Sequence, residues 1–122
     1  MVDFKTYERA YNDLAAIIDS TEHEEKARAL LLGLTNNWSI SRPLIRGFFH
    51  KASMAKGHQT EEMQEGLSRF LELLTRMQYL FGRTLQKIEA NPRFIDLRPT
   101  MNDVVRDIEQ DLEEFAEIPD FV

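Results

Sequence analysis

Apolar residues recur at intervals of three and four through most of this chain, and nowhere do they alternate in the manner of a strand. Phe4, Tyr7, Tyr11, Leu14 and Ile18 share one face of a helix predicted over residues 3–19, which Ser20 and Thr21 interrupt. Thr21 with Glu24 three residues on makes a capping-box pattern for a second helix. Glu22, Glu24 and Glu25 crowd its first turn, where the helix dipole favours anions. Ala27, Leu30, Leu31 and Leu34 form its apolar side, and it is expected to end near residue 34. Thr35, Asn36, Asn37 and Trp38 read as a loop, because Asn and Thr side chains compete for backbone hydrogen bonds. A third helix follows, capped by Ser39 or Ser41. Pro43 sits in its first turn, Leu44, Ile45, Phe48, Phe49 and Ala52 on its apolar side, and Gly57 beyond its end.

Thr60 caps the longest predicted helix, which reaches about residue 90 and spans roughly 45 Å at 1.5 Å per residue. Met63, Leu67, Phe70, Leu74, Met77, Phe81 and Ile88 keep a seven-residue repeat along it. Glu65 with Arg69 and Glu72 with Arg76 are i,i+4 pairs in the favourable order. Asn91-Pro92 stops the helix. A linker carrying Phe94, Ile95 and Leu97 leads to a fifth helix, capped by Thr100, facing inward with Met101, Val104, Val105, Ile108, Leu112 and Phe115 and ended by Pro119. Short connections favour antiparallel neighbours. The expected fold is therefore all-α: a compact antiparallel bundle of four to five helices around one long central helix, forming a single domain over residues 1–122.

Composition narrows the chemistry. Apolar residues make up 43% and charged residues 30% of 122 positions, the balance of a globular domain rather than a disordered chain. Cysteine is absent, so disulfides, thiolate metal ligands and thiol nucleophiles are excluded. The N-terminal residues carry no apolar signal core, and no apolar stretch is long enough to cross a bilayer, which places the expected location in the cytoplasm. His23, His50 and His58 complete neither a Glu-x-x-His nor a His-x-x-x-His pattern, and no Gly-rich phosphate loop or nucleophile elbow is present. No metal, cofactor or catalytic residue is expected, and the chain is read as a non-enzyme.

Charge is distributed unevenly. Net charge is −6, yet residues 26–58 hold six cations and no acid, while residues 101–122 hold eight acids against Arg106 alone. Asp103, Asp107, Asp111 and Glu114 line one stripe of the last helix, where like charges repel. Docking that stripe beside Arg42 and Arg46 would relieve the repulsion, so the basic and acidic segments are expected to be neighbours.

Two functional readings follow. The first is a small non-catalytic regulatory or protein-interaction protein, of the inhibitor or immunity type by analogy of architecture alone. Trp38 is a candidate anchor for a partner, against the alternative that it caps the core. Leu73 and Leu80, seven apart at the edge of the long helix with Gly66 and Thr84, are candidates for a homodimer seam, against the alternative that neighbours bury this helix on two sides. The second reading is a nucleic-acid-binding regulator. Ala29, Gly33, Leu34, Ile40, Ser41, Arg42 and Leu44 resemble a helix-turn-helix signature within residues 27–50, with a turn one residue longer than usual. Arg42, Arg46 and His50 at i,i+4 spacing, with Lys51 beside them, are the candidate phosphate contacts. The overall acidity of the chain weighs against this second reading.

Overall fold

A computed structural model describes residues 3–55 and 57–116 of the chain. They form four α-helices: α1 (Phe4–Ile17), α2 (Glu24–Met54), α3 (Glu61–Glu89) and α4 (Arg98–Ala116). A 3₁₀ turn, Thr21–His23, leads into α2, and a second, Pro92–Leu97, leads into α4. The all-α bundle expected from the hydrophobic pattern is present, with two long helices in place of one.

Asp3 caps α1 by accepting from the Lys5 amide at 3.0 Å. Thr60 caps α3 by accepting from the Met63 amide at 3.1 Å. Gly57 takes the left-handed conformation, φ 86°, that reverses the chain between α2 and α3. Thr21 and Thr100 do not cap. Thr21 opens the 3₁₀ turn, and α2 begins after it without a side-chain cap. Thr100 lies inside the first turn of α4, because the 3₁₀ turn from Pro92 runs straight into that helix. Pro119 and the terminal Phe121-Val122 lie outside the described residues.

The main departure is in α2. The expected break at residues 35–38 is absent, and the predicted second and third helices are one helix of 31 residues. The reason is a single unbroken packing phase. Ala27, Leu31, Leu34, Trp38, Ser41, Ile45, Phe49 and Ala52 are all buried, at spacings of three and four without a slip. Burial of that face outweighs the weak helix propensity of Asn36 and Asn37, which cost only a few tenths of a kcal/mol each, about 0.7 at most. Pro43 stands inside the helix and cannot donate to the Ser39 carbonyl. Both residues are exposed, so the freed acceptor is open to solvent.

Helix α3 packs chiefly on α4 and α1, and α2 packs on α1 and α4. The core is aromatic. Tyr7 and Trp38 meet Phe81 edge-on, with ring centroids 5.9 and 6.4 Å apart. Phe49 of α2 and Phe115 of α4 stack at 3.9 Å with planes 3° apart. Gly66 lets α2 close on α3, since a Cβ there would overlap the Phe48 ring.

The candidate interaction surface of the second helix

The two faces of α2 differ in what they offer a ligand. Its inner edge is bound to α4 by a ladder of ion pairs that spans two turns. Arg42 Nε and Nη2 donate to the two oxygens of Asp111, each at 3.0 Å, and Arg42 Nη1 lies 3.3 Å from Asp107. Arg46 Nη1 reaches Asp111 at 2.5 Å and Glu114 at 3.1 Å, and Arg46 Nη2 donates to Glu114 at 3.2 Å. Trp38 Nε1 extends the ladder at its start by donating to Asp107 at 3.4 Å. The expected juxtaposition of the basic and acidic segments is therefore realised. Residues 38, 42 and 46 meet 107, 111 and 114 in ascending order, which means that α2 and α4 run parallel.

Asp111 is fully buried, and charge-assisted bonds from two guanidinium groups offset its desolvation. Hydrogen bonding to Asp111 holds the Arg42 pKa above its ordinary value, and the bond to Glu114 does the same for Arg46. Arg46 also lies over the Phe115 ring at 5.5 Å. A second buried polar pair, Tyr7 Oη with Ser41 Oγ at 2.7 Å, ties α1 to α2. Burial raises the Tyr7 pKa above 10.0, and the Ser41 bond opposes that shift.

The candidate phosphate contacts are thus divided. Arg42 and Arg46 are used internally, while His50 and Lys51 are exposed at the far end of α2. The segment 27–50 contains no turn, so the geometry of a helix-turn-helix is absent and no separate recognition helix projects from the bundle. The candidate protein contacts are also redistributed. Trp38 is 2% exposed and Leu80 is 5% exposed, so both belong to the core, and Leu73 is half-buried. Thr84 is buried and bonds the Leu80 carbonyl, and Gly66 serves the approach of α2, so both are used within the bundle.

Among the described residues, four of the six exposed large apolar side chains lie on the outer face of α2, the others being Tyr79 of α3 and Ile95. Leu32, Ile40, Leu44 and Met54 are 47, 67, 60 and 77% exposed. Leu44, expected inside with Ile45, points away from the core, because in a continuous helix it falls out of phase with the 38-41-45-49 row. Gly33 and Gly47 lie on the same outer side with nothing within 4 Å of where a Cβ would stand. A shallow groove of about 390 Å³ between α1 and α3 is lined by Phe4, Phe70 and Leu73 among charged neighbours.

Among the described residues, no three His, Asp or Glu side chains gather where they could hold a metal ion. Among them too, no helix is long and apolar enough to cross a membrane. Neither the sequence nor the fold finds a match among protein-family models, curated proteins or solved structures.

Proposed function

We propose that this protein is a non-catalytic interaction module that works through the outer face of α2. The observation that carries the reading is the row of exposed Leu32, Ile40, Leu44 and Met54 on a helix whose opposite face is fixed in the core. Ile40 and Leu44, one turn apart, form the centre of this face, and an exposed apolar patch rimmed by polar residues marks an interaction site. The ladder to α4 supports the reading in two ways. It ties α2 to α4 at Trp38, Arg42 and Arg46, and such preorganisation lowers the entropy cost of docking. It also occupies Arg42 and Arg46, which weakens the nucleic-acid alternative.

A photo-crosslinking amino acid placed at position 44 tests this in the native host, with position 103 of α4 as an exposed control. Protein adducts formed from position 44 and not from 103 are expected. Adducts to nucleic acid, or no adducts from 44, would overturn the reading.

A further inference from the structure

The outer face of α2 has an internal symmetry that names its occupant. Gly33, Ile40, Gly47 and Met54 follow one another at seven-residue spacing, which keeps them on one line of the helix. Reversing the helix about a point between Pro43 and Leu44 exchanges residue i with residue 87 − i. Under that operation Ile40 falls opposite Gly47, and Met54 falls opposite Gly33. The polar positions match as well, since Asn36 meets Lys51 and Asn37 meets His50. Ile40 and Met54 therefore each face a glycine, Leu44 meets Pro43 at the centre, Leu32 meets Ala55, and no two cations are brought together.

We infer that the occupant of this face is a second copy of the chain, docked antiparallel through α2 about a two-fold axis at Pro43-Leu44. The inference rests on the reading of α2 as the interaction surface. An isologous contact demands a patch complementary to itself, which the row supplies. Open space at both glycines leaves the holes unfilled by the protein's own side chains. With about 200 Å² as the full surface of a large side chain, the exposures of Leu32, Ile40, Leu44 and Met54 amount to on the order of 500 Å² per copy. Two copies then remove about 1,000 Å² from water, at the lower edge of specific interfaces. The dimer is accordingly weak and concentration-dependent. Reversed helices also align their dipoles favourably.

Sedimentation equilibrium of the full chain, with paired variants, tests this. Gly47→Ile fills the hole in both copies and sets Ile against isoleucine 40 of each partner, so it should weaken the dimer about tenfold or more. Ile40→Gly removes the knob from both copies and should also weaken it. An equimolar mixture of the two variants restores one knob for each hole, and heterodimers should exceed either homodimer. Circular dichroism of each variant confirms that the monomer is folded. A wild-type chain that stays monomeric to about 1 mM, a range that covers contacts of only ~4 kcal/mol, overturns the self-pairing. So does a Gly47→Ile variant that dimerises like wild type, or a mixture no stronger than its components. A monomeric wild type that still crosslinks from position 44 to a different protein overturns self-pairing alone and leaves α2 as the interaction surface.

Discussion

Replacing Asp111 by alanine strikes the point where α2 and α4 are joined. The side chain is fully buried and receives three guanidinium hydrogen bonds, two from Arg42 and one from Arg46. Removing one member of a buried ion cluster strands the other charges and costs about 3–5 kcal/mol. Here the lower end applies. The Arg42 and Arg46 side chains are 26% and 37% exposed, so water reaches both, and Asp107 and Glu114 remain beside them. The expected loss is therefore about 3 kcal/mol, or a fall of roughly 10 °C in Tm for a chain of this length. Urea titration followed by the fluorescence of buried Trp38 and by helical circular dichroism measures it, with the slope unchanged. Glu114→Ala, at a carboxylate 51% exposed, should cost only about 0–1 kcal/mol. Replacing the cluster as a unit, Arg42→Met with Arg46→Met and Asp111→Leu, should recover most of the loss because no charge is left stranded. A loss below about 1 kcal/mol for Asp111→Ala would refute the claim that this ladder locks α2 to α4.

Gly66→Ala should destabilise the fold by about 1–3 kcal/mol, because the new methyl must displace the Phe48 ring. Gly82→Ala, with open space around it, should stabilise by about 0.5–1 kcal/mol, and thermal melts of the pair compare the two directly. Tyr7→Phe should cost about 1–2 kcal/mol by leaving Ser41 without its buried partner, and Ser41→Ala in the same chain should recover part of that. Because burial raises the Tyr7 pKa, the folded state keeps a proton that the unfolded chain releases near pH 10. The stability this contributes is fully present below that pH and is lost above it as pH rises toward the folded pKa. Denaturation curves between about pH 9 and 11 should therefore fall less steeply for Tyr7→Phe than for wild type.

Much of the fold was legible because each amphipathic segment announces its phase. The α3 repeat from Leu67 through Leu74, Met77 and Phe81 to Ile88 is buried as its spacing implies, and Thr60 caps where its sequence says it should. The acidic stripe of α4 correctly pointed to Arg42 and Arg46, because charges that repel within one helix need partners on another. The loop expected at residues 35–38 is where local and long-range signals conflict. Asn36 and Asn37 have low helix propensity, yet the 27-31-34-38-41-45 burial phase runs through them without interruption. That same signal agrees with the core alternative for Trp38 and turns Ile40 and Leu44 outward. Leu80 follows the alternative of burial on two sides. Helix α3 is covered on more than one side, so a second apolar row on it is core rather than interface.

The central claim is that α2 turns one face to the core and offers the other for docking. Methyl nuclear magnetic resonance tests it most directly, because α2 carries Ile40 outside and Ile45 inside, five residues apart. As concentration rises from about 10 μM to 1 mM, the span over which a weak contact forms, the Ile40 and Leu44 methyl signals should shift together along a binding curve. The Ile45 and Ile108 signals should stay in place. Unmoved Ile40 and Leu44 signals would contradict docking of a second copy on this face, and a shift led by Ile45 and Ile108 would contradict the assignment of the two faces of α2.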